Sequence, residues 1–168
     1  CSCAGPYGHR LLGIDVETSH EFEREISRGC EGIKPGWIRV NFNYFISEAV
    51  FEYILEAVEV IARDGWRLIP QYRFDPATGL WRHRTEPAEA PLSLRDVGYP
   101  DGTMRFKSHR HRVPEASLRE YIEAAREIVA QPGLGPVEAL DRSVVGHDFE
   151  DLRWFWLPEE VEAELARG

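Results

Sequence analysis

A chain of 168 residues with 43% hydrophobic and 29% charged residues has a globular composition, enough for one domain or a domain with an extension. Its net charge of −9 argues against generic binding to nucleic acid or an anionic membrane, both of which call for a basic surface. No apolar run approaches the ~20 residues of a bilayer span, no secretory signal is read at the start, and three cysteines make no secreted disulfide framework, so a cytoplasmic protein is expected.

Residues 1–13 read as an irregular loop, because Gly5, Pro6 and Gly8 break regular structure. Cys1 and Cys3 in this loop are either small turn fillers or reachable thiols that His9 could help to activate. With His9 and Cys30 they would also make four soft metal ligands, although the spacing fits no common zinc pattern. A helix is expected over 15–29, capped by Ser19 and stopped at Gly29, with a thin stripe of Phe22 and Ile26. His20 reads as a surface histidine and Cys30 as a buried filler. Gly32 to Gly36 is a turn.

The run from Gly36 to Ser47 alternates Ile38, Val40, Phe42 and Tyr44 with Arg39, Asn41 and Asn43, the pattern of a two-faced strand. Arg39 there either faces solvent or grips an anion, which a planar guanidinium does bidentately. Ser47 is a good N-cap, with Glu48 in the first helical turn. Val50, Phe51, Ile54, Leu55, Val58, Ile61 and Ala62 then recur at helical spacing as one apolar face, and Gly65 is the expected stop.

Trp66 to Pro70 reads as a short strand or packing segment. A hairpin follows, with Tyr72-Arg73-Phe74 and Leu80-Trp81-Arg82 joined across Asp75 to Gly79. Residues 85–91 are a linker, and a second hairpin is expected around Pro100-Asp101-Gly102, the two together making a small antiparallel sheet. The basic cluster Lys107 to Arg112 reads as a solvated strand end. A helix over 114–130 presents Leu118, Tyr121, Ile122, Ala125, Ile128 and Val129. His147 to Asp151 reads as a solvated loop rather than a metal site. The aromatic run Arg153 to Pro158 should plug a groove, and a helix over 158–166 closes the chain.

The Arg39 strand leading to a helix that starts at Ser47-Glu48, with Cys1-Ser2-Cys3-Ala4-Gly5-Pro6-Tyr7-Gly8-His9 upstream, resembles a known family. It is similar to the small, C-terminal domain of class V aminotransferase-fold enzymes, which use pyridoxal phosphate (PLP). Cysteine desulfurases, selenocysteine lyases and the sulfurase part of molybdenum-cofactor sulfurase belong there. The resemblance covers about the first 75 residues. It implies that Arg39 holds the carboxylate of a small amino-acid substrate and that Cys3 is the nucleophile that accepts sulfur. Cys3 and Arg39 stand farther apart than in simple desulfurases, with the 15–29 helix filling the interval.

A PLP enzyme needs a lysine for its Schiff base, and the chain has only Lys34, in a turn, and Lys107. Neither has the family's lysine context. The resemblance therefore implies a C-terminal portion, with a missing N-terminal PLP domain or partner chain, that forms a homodimer when complete and does not bind PLP covalently by itself. The expected fold is α+β: a small antiparallel or mixed sheet with helices on one face over residues 1–75, and an extension over 76–168 with hairpins and two helices. The alternative is a non-catalytic α+β module that binds a partner protein or a small acid.

Overall fold

The structure is a computed structural model that describes residues 6–36, 38–85, 94–106, 113–131 and 135–167. It is an α+β chain with helices α1 (Pro6–Leu11), α2 (Val16–Ser27), α3 (Glu48–Asp64), α4 (Leu118–Ala130), α5 (Phe149–Leu152) and α6 (Pro158–Leu165). The strands are β1 (Tyr72–Asp75), β2 (Leu80–His83), β3 (Val97–Gly98) and β4 (Arg105–Phe106).

Helix α1 stands where a loop is expected. It ends at Leu11, and the turn after it passes through Gly13, whose φ of 74° suits a residue without Cβ. Asp15, not Ser19, caps α2 by accepting from the Thr18 N–H at 2.8 Å. Ser19 instead bonds His9 Nδ1 at 2.7 Å, tying α1 to α2. The far end of α2 closes as expected at Gly29, at φ 105°. The Gly29 and Cys30 N–H groups donate back to the carbonyls of Ile26 and Glu25, a Schellman closure.

The expected strand over 36–46 does not form. Residues 38–43 are irregular, and no described residue forms a ladder with them. The apolar alternation is present, but a strand exists only when a second backbone accepts its hydrogen bonds. Ser47 then caps α3 as expected, its Oγ accepting from the Val50 N–H at 3.2 Å. Gly65 does not stop the chain; α3 tightens into a 3₁₀ stretch over Gly65–Gln71, in place of the strand considered for 66–70.

The larger difference is which side of α3 is buried. Val60 is 2% exposed, whereas Leu55, Val58 and Ile61 are 46%, 45% and 67% exposed. At 100° per residue Val60 lies about 160° around the helix from Val58. Helix α4 occupies the Val60 side, where Arg126 donates to Glu56 at 2.6 Å and Ile122 and Val129 are buried. The stripe that the spacing marks as the core face is therefore divided, with Val50, Phe51 and Ile54 half-buried and Leu55, Val58, Ile61 and Ala62 exposed.

The two hairpins form separate two-stranded sheets, not one. In β1–β2 the register pairs Tyr72 with His83 and Phe74 with Trp81 on one face, and Arg73 with Arg82 on the other. Phe74 stacks on Trp81 and meets Phe155 edge-on at 5.2 Å, which seats the hairpin on the core. Gly32 leaves no room for a side chain there, since a Cβ would overlap the Phe74 ring.

The core gathers Phe22, Cys30 and Ile33 with Phe149, Leu152 and Leu157. The expected division after residue 75 falls at the β1–β2 turn, and residues from both sides of it share this core. Phe149 corrects the reading of 147–151 as a solvated loop: α5 places it fully inside while its charged neighbours point out. The aromatic run splits likewise. Phe155 and Leu157 pack inward, and Trp154 and Trp156 stay exposed. No described helix is long and apolar enough to cross a membrane.

Candidate functional site

The residues singled out by the sequence are not gathered in one place. Cys1 and Cys3 lie outside the described residues, as do Trp37, Lys107 with its basic cluster, and 86–91 of the expected linker. His9, the neighbour that could activate the cysteine loop, has Nδ1 engaged by Ser19, and its ring lies 6.2 Å from that of Phe22. Cys30 is buried in the core. Desolvation pushes its thiol pKa up, and the nearby Glu25 charge adds to this, so it is a poor nucleophile and a poor metal ligand at neutral pH.

Arg39 lies midway along the irregular segment 38–43. Its side chain is exposed, and no hydrogen bond or ion pair ties it to any described residue. The side chains around it are also in water: Ile38 is 92% exposed and Tyr44 99%. Only Phe42 has an aromatic partner toward the helix, meeting Phe51 of α3 edge-on at 5.0 Å. Lys34 is held at the surface in an ion pair with Glu31.

Two features have no sequence signal of their own. The first is a groove of about 450 Å³ between β1, residues 136–141 and the start of α6. Arg84 forms one wall, its guanidinium donating to the carbonyls of Pro70, Gly135 and Pro136. Glu159 forms another; its Oε1 accepts from the Leu140 N–H at 3.2 Å, while its buried Oε2 has no donor. Arg39 does not line this groove. Its walls come from segments far apart in the chain, so no local pattern could reveal it.

The second is Glu25, whose side chain is entirely buried on α2. One oxygen pairs with Arg28, and the other, without a donor, is pressed against the backbone at Gly146. A charged residue in the Phe22/Ile26 region of an amphipathic helix reads as surface, and only the approach of Gly146 encloses it.

Beside it, exposed His147 and half-buried Asp148 bond each other at 3.0 Å. The hydrogen bond and charge of Asp148 raise the His147 pKa above the usual 6.5, and the same bond lowers that of Asp148. A raised histidine pKa stabilises the fold at pH values below about 6.5, an effect lost as pH rises through the higher folded value. The depressed Asp148 value acts oppositely: its stabilisation is present above 3.8 and lost as pH falls through the folded value. In an NMR titration the His147 ring should therefore titrate above 6.5, and Asp148→Asn should bring it back toward that value. A midpoint that ignores Asp148→Asn would refute the pairing.

Among the described residues no group of three or more His, Cys, Asp or Glu side chains is placed to hold a metal ion. Comparison with protein-family models, with curated proteins and with solved structures finds no match to this chain.

Proposed function

We propose that this chain is the C-terminal portion of a PLP-dependent, class V aminotransferase-like enzyme of the cytoplasm, in which Arg39 binds the carboxylate of an amino-acid substrate. The observation that carries the reading is the Arg39 guanidinium, presented outward without a partner among the described residues, on an apolar segment directly ahead of a Ser47-capped helix. An unpaired guanidinium has all its donors available, and a carboxylate takes two of them in one plane.

The described residues do not fit PLP. Lys34 is committed to Glu31 at the surface, and no lysine lines the groove beside β1. On this reading the Schiff-base lysine and the phosphate cradle belong to an N-terminal domain or a partner chain, and the complete enzyme would be a homodimer. Cys3 stays in the proposal as the thiol that would accept sulfur.

In the assembled enzyme, Arg39→Ala should raise KM for the amino acid about 10- to 100-fold, the worth of a charge-assisted bidentate contact. The Schiff-base absorbance should be unchanged. An unaltered KM, or a borohydride-trapped PLP–lysine adduct on this chain alone, would refute the reading. A second reading, a non-catalytic module that binds a partner protein or a small acid, draws on exposed Leu55, Val58 and Ile61 of α3 and on exposed Trp154 and Trp156. It requires partner binding that survives Arg39→Ala.

A further inference from the structure

The groove beside β1 is bounded on two sides by backbone that is not paired across it. The Arg84 N–H donates to the Gln71 carbonyl at 2.9 Å, and the register of the hairpin then makes Arg73–Arg82 and Asp75–Leu80 its hydrogen-bonded pairs. The backbone groups of Tyr72 and Phe74 therefore point away from β2. Tyr72, Arg73 and Phe74 all line the groove although their side chains alternate between faces, so the free edge of the strand borders it. The Tyr72 N–H donates to the Ile69 carbonyl. The other edge groups of Tyr72 and Phe74 have no hydrogen bond to any described residue. On the opposite wall the same holds for the N–H and C=O groups of Glu138 and Ala139.

At one end of the groove the Arg84 guanidinium reaches both walls. It donates at 3.3 Å to the Pro70 carbonyl, just ahead of β1, and at 3.3 and 2.9 Å to the carbonyls of Gly135 and Pro136. One planar set of donors thus spans the two backbones there. Farther along, no described residue bonds to the backbone of both walls.

We infer that this groove is a peptide-binding site, in which an extended segment of another polypeptide lies antiparallel to β1 as a third strand. That arrangement lets one ligand residue exchange both backbone bonds with Phe74 and a second donate to the Tyr72 carbonyl. The side chains specify the ligand. Residues opposite Tyr72 and Phe74 point toward the core side, where Leu157 and Pro158 line the groove, and call for β-branched side chains. The residue opposite Arg73 points outward and is disfavoured if basic. The next outward position falls beside Asp75, and Glu138 and Asp141 stand on the far wall, so basic side chains belong at the ends. The site is separate from Arg39 and from the exposed α3 and tryptophan surface, none of which lines the groove.

The test is NMR of the 168-residue chain with the probe acetyl-Lys-Val-Thr-Val-Lys-amide, whose residue order is the same in either direction. In the free chain the Phe74 amide should exchange freely with solvent, unlike the Arg73 amide in the ladder with Arg82. The probe, titrated to about 2 mM to reach the weak affinity of a short ligand, should slow Phe74 exchange at least about fivefold and leave Arg73 unchanged. N-methylation of both valines removes the two donors to β1 and should weaken binding at least about tenfold. Glu138→Lys, at an exposed position, should weaken it about threefold or more while the circular dichroism spectrum stays the same. A Phe74 amide already protected in the free chain would overturn the inference. So would the absence of shifts at the groove at the highest probe concentration, or binding that ignores either the N-methylation or Glu138→Lys.

Discussion

Phe149→Ala is expected to lower the unfolding free energy by about 3–5 kcal/mol, the usual cost of deleting a buried aromatic ring and leaving its cavity. The side chain is fully enclosed, in a core with Phe22, Ile33, Leu152 and Leu157. That core joins α2 and the 3₁₀ turn at Glu31–Ile33 to α5 and to the start of α6, so collapse onto the gap would have to move several elements at once. Urea unfolding followed by circular dichroism measures the loss directly. For a chain of this length a shift in Tm of roughly 10 °C should accompany it. A loss below about 1 kcal/mol would mean that the 149–152 helix is not seated on the core.

Arg28→Ala should cost about 3 kcal/mol, an effect larger than its exposed position suggests. An exposed ion pair contributes about 0–1 kcal/mol, but here one partner, Glu25, is wholly buried. Removing Arg28 strands a carboxylate whose second oxygen already has no donor. Breaking a buried pair from one side costs about 3–5 kcal/mol, and the partial exposure of Arg28 places the value at the lower end. Glu25→Met in the same background should recover most of the loss, because a side chain of similar volume removes the charge along with its missing partner. If Arg28→Ala stays within about 0.5 kcal/mol of the parent, Glu25 does not carry a buried charge that depends on Arg28.

The pair also illustrates a limit of reading by residue type. Glu25 stands three positions after Phe22, on the side of the apolar stripe, yet its charge reads as surface, and its neighbours Glu21 and Arg24 are indeed on the outside, paired at 3.8 Å. What encloses Glu25 is Gly146, more than a hundred positions later, where any side chain would collide with the carboxylate. Phe149 departs from the expected solvated loop for a similar reason. His147, Asp148, Glu150 and Asp151 dominate the local composition, yet one ring aimed inward decides how the segment folds.

Arg39 and Cys3, the residues on which the functional reading rests, were legible only through resemblance. A guanidinium between apolar residues has the same local pattern whether it faces bulk water or a ligand. In the structure it is exposed and free of the described residues.

By itself the amino-acid order determined where α2, α3, α4 and α6 run, to within a few residues, and where the first hairpin turns. Those outcomes depend on interactions that close within four or five positions: the Ser47 cap, the Gly29 closure, helical spacing, and the Asp75–Gly79 turn. Tertiary structure alone decided that residues 38–43 remain without a ladder, that the two hairpins stay apart, and which side of α3 is covered. A strand needs another backbone, and burial needs another surface. Local periodicity can mark an apolar stripe, but the position of α4 on the Val60 side determined that Leu55, Val58 and Ile61 of this one stay exposed.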